Sequence, residues 1–453
     1  MDKQKTNWWQ VVLVLLIGAG AIDGFMWFLY NTYIPLYLQG GNPNFQAQVL
    51  GFGLTPKVVG FILVLDNIAA FILAPIIGAW SDGYRGSRGR RMPFILLTVP
   101  LAAVALAVVP FIYSAVPASS SGNISLLLPL FIPFLVLLFL VLVPLAVART
   151  PIDALVYDIA PSQDRGKARS LGIILATLLS IGLGIGGSAL YEINIKLPYL
   201  LSLVVTLLLL GLGAFLIKER KGSEVNDPKD DQGRQQNEAG LQRTLTVLRT
   251  FPAENRRSVL FMALSIFLGM FGFSLIQAFI SSYNMTVLGA EQAAAGLPFL
   301  VAGGAVMLAS FPAALLADKI GRKRTMLIGC IGWAVSALLI FLLPSPALFL
   351  PLMIVTGIFY ALWFVNSFVT LIDSAPTDGT LGVMTALTSM ANMAGMSIGP
   401  ALTGILIEAT GYQYSMIFLV QVFVVAGAAL ALLPVSRGEP RPGSAAPAGT
   451  AAE

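Results

Sequence analysis

Histidine is absent from all 453 residues, and cysteine occurs once, at Cys330. Without histidine there is no Ser-His-Asp triad and no imidazole-ligated metal, and a lone thiol makes neither a disulfide framework nor a cysteine metal site. The Gly-x-x-x-x-Gly-Lys-[Ser/Thr] phosphate loop is missing as well, so the chain does not drive work by hydrolysing ATP itself. No enzymatic activity, cofactor or metal is expected. Charge is also scarce: 11% of residues are Asp, Glu, Lys or Arg and 57% are apolar, whereas an ordinary soluble domain carries roughly 25% charged residues. A fold of this length with so little charge cannot cover itself in water.

What the sequence does have is long apolar runs. Crossing roughly 30 Å of hydrocarbon as helix takes about 20 apolar residues, and such stretches fall near 10–38, 58–81, 93–113, 126–148, 170–190, 197–217, 258–286, 294–316, 325–343, 347–372, 381–408 and 412–434. The predicted fold is an all-α membrane protein of twelve transmembrane helices. All of the 27 lysines and arginines except Lys57 and Lys196 lie on one face of that topology. By the positive-inside rule this face is cytoplasmic, which puts both termini in the cytoplasm of a chain spanning the cell membrane, plasma or inner. The net charge of +5 then reflects topology and implies no nucleic-acid partner; the lipid bilayer is the expected surrounding.

The spans divide around a polar stretch. Residues 1–217 form the first six-helix bundle, 218–257 a cytoplasmic linker that is disordered over 222–240, 258–436 the second bundle, and 437–453 a disordered tail. Residues 241–257 alternate apolar and basic positions, as a helix lying on the membrane surface would. The loops repeat as well. Gly78-Ala-Trp-Ser-Asp82 and Arg88-Gly89-Arg90-Arg91 follow the second span; Ala317-Asp318-Lys319-Ile320-Gly321-Arg322-Lys323-Arg324 follow the eighth. Asp158-Ile-Ala-Pro161 follows the fourth, and Asp373-Ser-Ala-Pro376 the tenth. Two matching pairs in matching loops indicate a six-plus-six duplication, the usual construction of solute carriers.

These loops resemble the signature motifs of the major facilitator superfamily. The form with Ser81-Asp82 followed by Gly89-Arg90-Arg91-Met92-Pro93 resembles the branch of sucrose/proton symporters and glycoside-pentoside-hexuronide:cation symporters. Asp66-Asn67 with Pro75 and Gly78 in the second span, and Asn366-Ser367 in the tenth, belong to the same likeness. Plant-type sucrose symporters carry an arginine after the Pro-x of span 4, where this chain has Pro151-Ile152-Asp153 and places Arg149 on the other side of the proline. The resemblance implies two pseudo-symmetric bundles around a central cavity and cation-coupled transport of a small polar solute by alternating access. It implies a latching role on the cytoplasmic side for Asp82, Arg90, Arg91, Asp318, Arg322 and Arg324, and it places a sugar-liganding aspartate in span 1, where Asp23 stands.

Asp23 lies roughly 21 Å along a helix from Trp9 at 1.5 Å per residue, near mid-bilayer. A carboxylate there costs about 2.5–3.5 kcal/mol on insertion scales, and it can bind and release a proton as its exposure to water changes. Trp27, Tyr30, Asn31 and Ile34 continue its helical face. That face suits a sugar, which stacks its C–H surface on aromatic rings and hydrogen-bonds its hydroxyls; aromatics at the membrane surface give the same pattern. Asp66 stands deep in span 2 as a second candidate for the cation, with a contact to a neighbouring helix as the alternative. In the second half, Gln277, Ser281 and Asn284 share a face of span 7, and Tyr360, Trp363, Ser367 and Thr370 a face of span 10, beside Asn366. Both faces are candidate cavity walls or helix-packing contacts. Arg149 and Asp153, one turn apart at the end of span 4, and Asp158 beyond them are candidates for an inner gate. Small residues in spans 5 and 11 allow close helix approach. The reading is proton-coupled symport of a small polar solute, a sugar or glycoside. The alternatives are proton-driven efflux of drugs or amphiphiles and a membrane sensor that transports nothing.

Overall fold

The computed structural model describes residues 8–84, 89–159, 165–217, 247–376 and 381–439. Among these residues there is no strand. They form twelve helices: α1 (Trp8–Gln39), α2 (Pro56–Gly83), α3 (Met92–Tyr113), α4 (Ile124–Ile159), α5 (Arg165–Ile193), α6 (Leu197–Leu216), α7 (Ala253–Gln277, continued by Ile280–Thr286), α8 (Leu297–Ile320), α9 (Arg322–Leu342), α10 (Pro346–Asp373), α11 (Leu381–Ala409) and α12 (Met416–Leu432). Ten helices are long and apolar enough to cross a membrane, and Pro56–Leu65 and Met416–Leu432 supply shorter apolar stretches. Proline opens many of them: Pro56, Pro93, Pro198, Pro298 and Pro346 stand in the first turns of α2, α3, α6, α8 and α10. A missing N–H is harmless there, because the first turn has no intrahelical acceptor for it.

Packing reproduces the duplication read from the loops. In the first half α1 packs on α5 and α6, α2 and α3 on α4, and α3 on α6; in the second, α7 packs on α11 and α12, α8 and α9 on α10, and α9 on α12. The two motif glycines match in backbone as well, Gly89 at φ 97° and Gly321 at φ 95°. Gly321 has ψ 146° and separates α8 from α9, in a region of backbone space open to little besides glycine. Gly321→Ala is expected to cost about 1–3 kcal/mol, read as a lowered melting temperature of the purified protein. An unchanged melting temperature would refute this.

Several boundaries differ from the sequence reading. Helix α4 does not stop at 148 but continues to Ile159 with Pro144 and Pro151 inside it, as membrane helices tolerate. Helix α7 begins at Ala253, following Pro252, so the last residues assigned to the linker belong to a span. Residues 247–250 are helical, and 218–246 lie outside the described residues. Helix α7 also breaks at Ala278–Phe279, where Phe279 takes φ −129° and ψ 9°. The start of the tail is ordered against α9. The Glu439 carboxylate accepts the backbone N–H groups of Arg322 and Lys323, both at 2.8 Å, and so caps the positive end of that helix.

Helix α1 holds the largest departure. Residues Leu16–Met26 wind as a π-helix between two α-helical ends. The wider coil advances less per residue, so Asp23 sits closer to Trp9 than an α-helical rise places it. Gly18, Gly20 and Gly24 fall in this stretch, and a Cβ on Gly24 would meet the Ala176 carbonyl oxygen of α5 at 2.7 Å. The same face of α5 supplies Ser180, whose hydroxyl donates to the Gly24 carbonyl at 2.8 Å. Asp23 is therefore set on a locally rewound helix clamped to α5. Such insertions are rare in helices and gather at functional sites.

Candidate functional site

Between the halves lies a cavity of about 630 Å³. Asp23, Trp27 and Asn31 line it from α1, Asn67 from α2, Arg149 and Asp153 from α4, Thr177 and Ser180 from α5, and Gln277 from α7. Two of those residues carry opposite charges that face each other: the Arg149 guanidinium lies 3.6 Å from the Asp23 carboxylate, with side chains 60% and 42% exposed. At that separation the two attract without a hydrogen bond.

Arg149 thus stands elsewhere than the sequence placed it. The longer α4 carries it and Asp153 into the cavity wall, where Arg149 faces α1 and is not confined to the inner mouth. The α1 stripe divides: Asp23, Trp27 and Asn31 reach the cavity, while Tyr30 and Ile34 are buried in the core. Tyr30 packs edge-on against Trp27, centroids 5.4 Å apart.

The second-half faces divide too. Gln277 lines the cavity, but the break after it turns Ser281 and Asn284 away, because the spacing that aligned them presumes an unbroken helix. Ser281 is buried, and Asn284 donates to the carbonyls of Ala294 and Ala295 at 3.2 and 3.4 Å, tying down a loop. On α10, Tyr360 lines an adjoining pocket. Trp363 is buried instead against Gly269, with its N–H 3.3 Å from the Ser265 hydroxyl. Asn366 is likewise buried and donates to the Leu362 carbonyl at 2.9 Å; Ser367 and Thr370 bond back to their own helix.

Among the gate candidates, the side chains of Asp66, Asp82 and Asp158 lie outside the described residues, although their helix backbones are described. Arg91 is buried and donates to the Ser81 hydroxyl, while Arg90 is half-buried. Arg322 pairs with Asp373, joining the two repeated motifs of the second half, and donates to the Gly438 carbonyl at 3.0 Å. These bonds tie together α9, α10 and the tail within one half and do not bridge the two. Asp318 and Arg324 are exposed.

Sequence reasoning missed two features. The first is an aromatic pocket of about 340 Å³ that joins the cavity at Thr177, Ser180, Phe273, Gln277, Phe299 and Phe364. The recurrence of Tyr360 and Phe364 one turn apart was its sequence signal. The second is a seal on the side away from the basic loops. There Gln39, wholly buried, donates to the Ser282 hydroxyl at 2.9 Å and to the Pro35 carbonyl at 2.9 Å, and it accepts the Tyr414 hydroxyl. Tyr33 donates to the Ala293 carbonyl at 3.4 Å. Every partner but Pro35 is in the other half. Below the seal α2 meets α11 at backbone distance: a Cβ on Gly60 would lie 2.3 Å from the Pro400 carbonyl oxygen, and one on Gly404 2.1 Å from that of Pro56. The span 11 glycines Gly395 and Gly399 press on α7, at Phe267 and Ser274; in span 5 Gly184 packs closely on Leu300 and Gly172 on Leu15 of α1, while Gly182 and Gly186 meet nothing within 4 Å.

The fold of two like-built helical halves is shared with solved carriers. A D-xylose-proton symporter is similar over 95% of this chain and 98% of its own, with a TM-score of 0.66 at 16% identity. A nucleoside transporter, NupG, matches over 94% and 98% with a TM-score of 0.62 at 14% identity. A bacterial homologue of the human lysosomal transporter Spinster, solved inward-facing, matches over 96% and 98% with a TM-score of 0.63 at 15% identity. At these identities the likeness is one of fold. In sequence, the sucrose transport protein SUT4 of Oryza sativa, in subspecies indica and japonica alike, is 31% identical over 87 residues, 19% of this chain. The match takes in 12% of the length of those rice proteins. The sequence pattern of the Major Facilitator Superfamily matches residues 16–308 and 262–452, and with the fold agreeing end to end, this chain belongs to that superfamily.

Proposed function

We propose that the chain is a cation-coupled symporter of a small hydroxyl-rich solute, a sugar or glycoside, with the proton as coupling ion. The observation that carries the reading is the Asp23–Arg149 pair in a membrane-embedded cavity whose remaining polar groups are the Asp153 carboxylate, one turn from Arg149, and the amides and hydroxyls of Asn31, Asn67, Thr177, Ser180 and Gln277. Neutral amides and hydroxyls match sugar hydroxyls, and Trp27 offers a ring for a sugar's C–H face. A proton on Asp23 cancels the attraction to Arg149 and frees the guanidinium for the solute. Loading the cation and loading the solute are then linked through one pair of side chains.

With the basic loops in the cytoplasm, the seal at Gln39 is external and the structure is open to the inside. Rocking one half against the other opens the seal and closes the inner mouth. Export of amphiphiles is the second reading, and the apolar pocket beside Tyr360 is what favours it. Proteoliposomes separate the two. An inward-directed proton gradient is expected to drive accumulation of one or more labelled sugars or glycosides above the level in its absence. Absence of any sugar uptake, together with proton-driven movement of an apolar dye, would overturn the symport reading.

A further inference from the structure

The pocket beside the cavity has an unusual lining. Tyr360 stacks on Phe364 at 5.2 Å and 17° and on Phe273 at 5.2 Å and 22°, and Trp333 meets Tyr360 edge-on at 4.9 Å. Met270, Met353 and Leu300 complete an apolar wall. Of the polar atoms on the residues that line it, two stand apart. The indole N–H of Trp333 and the side-chain carbonyl of Gln421 are both buried, and neither has a hydrogen-bond partner among the described residues. Both residues line the pocket, and they are 1% and 2% exposed. The other end of the Gln421 amide donates to the Gly272 carbonyl at 2.9 Å, which fixes the amide so that its oxygen is the end left over. An unpaired donor and an unpaired acceptor in an apolar pocket each carry a desolvation cost, and in native structures such groups call for an explanation.

A ligand that pairs both atoms removes that cost. An alkyl chain pairs neither. A bare sugar pairs both but wastes the rings, which favour a flat partner at centroid separations of about 4.5–7 Å. We infer that this pocket is a second subsite holding an aromatic aglycone whose edge carries one acceptor and one donor, while the glycone occupies the cavity at Asp23 and Arg149. The two spaces are continuous at Thr177, Ser180, Gln277 and Phe364, so one molecule can fill both. The inference rests on the sugar reading of the larger cavity and names the kind of glycoside that fits: a glycone joined to a flat ring by an O-linkage, as in a phenol glycoside, or an N-linkage, as in a nucleoside.

Gly303 provides the cleanest test. It lines the pocket, and a Cβ built on it meets nothing within 4 Å, so a side chain can start there without a clash and Gly303→Leu takes up pocket volume. Binding to the purified full-length protein is measured for methyl, phenyl and 4-hydroxyphenyl glucosides, and for uridine against ribose. The 4-hydroxyphenyl glucoside or uridine is expected to bind at least about tenfold more tightly than its ring-free counterpart, and the phenyl glucoside to fall between. The ratio of ringed to ring-free affinity is expected to collapse towards one in Gly303→Leu and to shrink in Trp333→Phe, which keeps the ring and loses the donor. If ring-free sugars bind and the ring adds nothing, the subsite is overturned and the sugar reading stands. If the ratio survives in both variants, the ring sits elsewhere and the assignment is wrong. Should none of the five bind, the sugar reading falls and the subsite with it.

Discussion

Asp23→Asn is expected to reduce proton-driven accumulation in proteoliposomes to the background of protein-free vesicles, a loss of at least about tenfold. Exchange of labelled for unlabelled solute at equal pH should survive. The substitution keeps the shape and the hydrogen-bonding capacity of the side chain and removes its ability to take up and give off a proton. Its second effect is to leave Arg149 facing a neutral group. With the two side chains 60% and 42% exposed to the cavity, solvent screens that loss, so the fold should tolerate it. Comparison of accumulation with exchange is what makes the result specific, because a misfolded variant loses both. Accumulation that remained proton-driven in Asp23→Asn would remove Asp23 from the coupling role.

Gln39→Ala is expected to open the external seal. The wild-type side chain makes three hydrogen bonds at zero exposure, two of them to the opposite half. A buried hydrogen bond is worth about 1 kcal/mol net, and stranding the partner hydroxyls of Ser282 and Tyr414 adds a further desolvation cost in the sealed state alone. A shift of about 2–4 kcal/mol corresponds to a change of roughly thirtyfold to a thousandfold in the ratio of open to sealed forms. The lone native thiol, Cys330, is 1% exposed, so an introduced cysteine reports without interference. Ala293→Cys, placed where Tyr33 bridges the seal, should resist a membrane-impermeant maleimide in the parent and react at least about tenfold faster when Gln39→Ala is added. Equal labelling of the two would show that the seal is held elsewhere.

Most of the architecture was legible in the residues. Apolar length gave twelve spans, and repeated Asp-Gly-Arg loops gave the duplication that the packing and the matched glycine conformations then displayed. The cavity lining was legible where the helix runs on without a break, even across the change of winding between Asp23 and Trp27. Asp23, Trp27 and Asn31 share a face one turn apart and do line the cavity together. Across the break at Ala278–Phe279 the same spacing argument failed for Ser281 and Asn284. Trp363 and Asn366 were polar-capable residues on the flank of α10, and packing against Gly269 and α10's own carbonyls absorbed them. Arg149 was misplaced because hydropathy ends a span at the first charge, whereas this charge meets an opposite one inside. The π-helical stretch left only the glycines at 18, 20 and 24 as a trace.

That stretch also gives α1 slack. A segment bonded from each residue to the fifth along holds more chain per unit length than the α-helix on either side of it, so rewinding it as α-helix would lengthen α1 and turn its two ends relative to each other. Such a rewinding would turn Asp23 about the helix axis relative to Gln39, and with it the face that Asp23 turns to Arg149. Asp23, the proposed cation residue, and Gln39, which closes the seal, thus share one helix but not one winding.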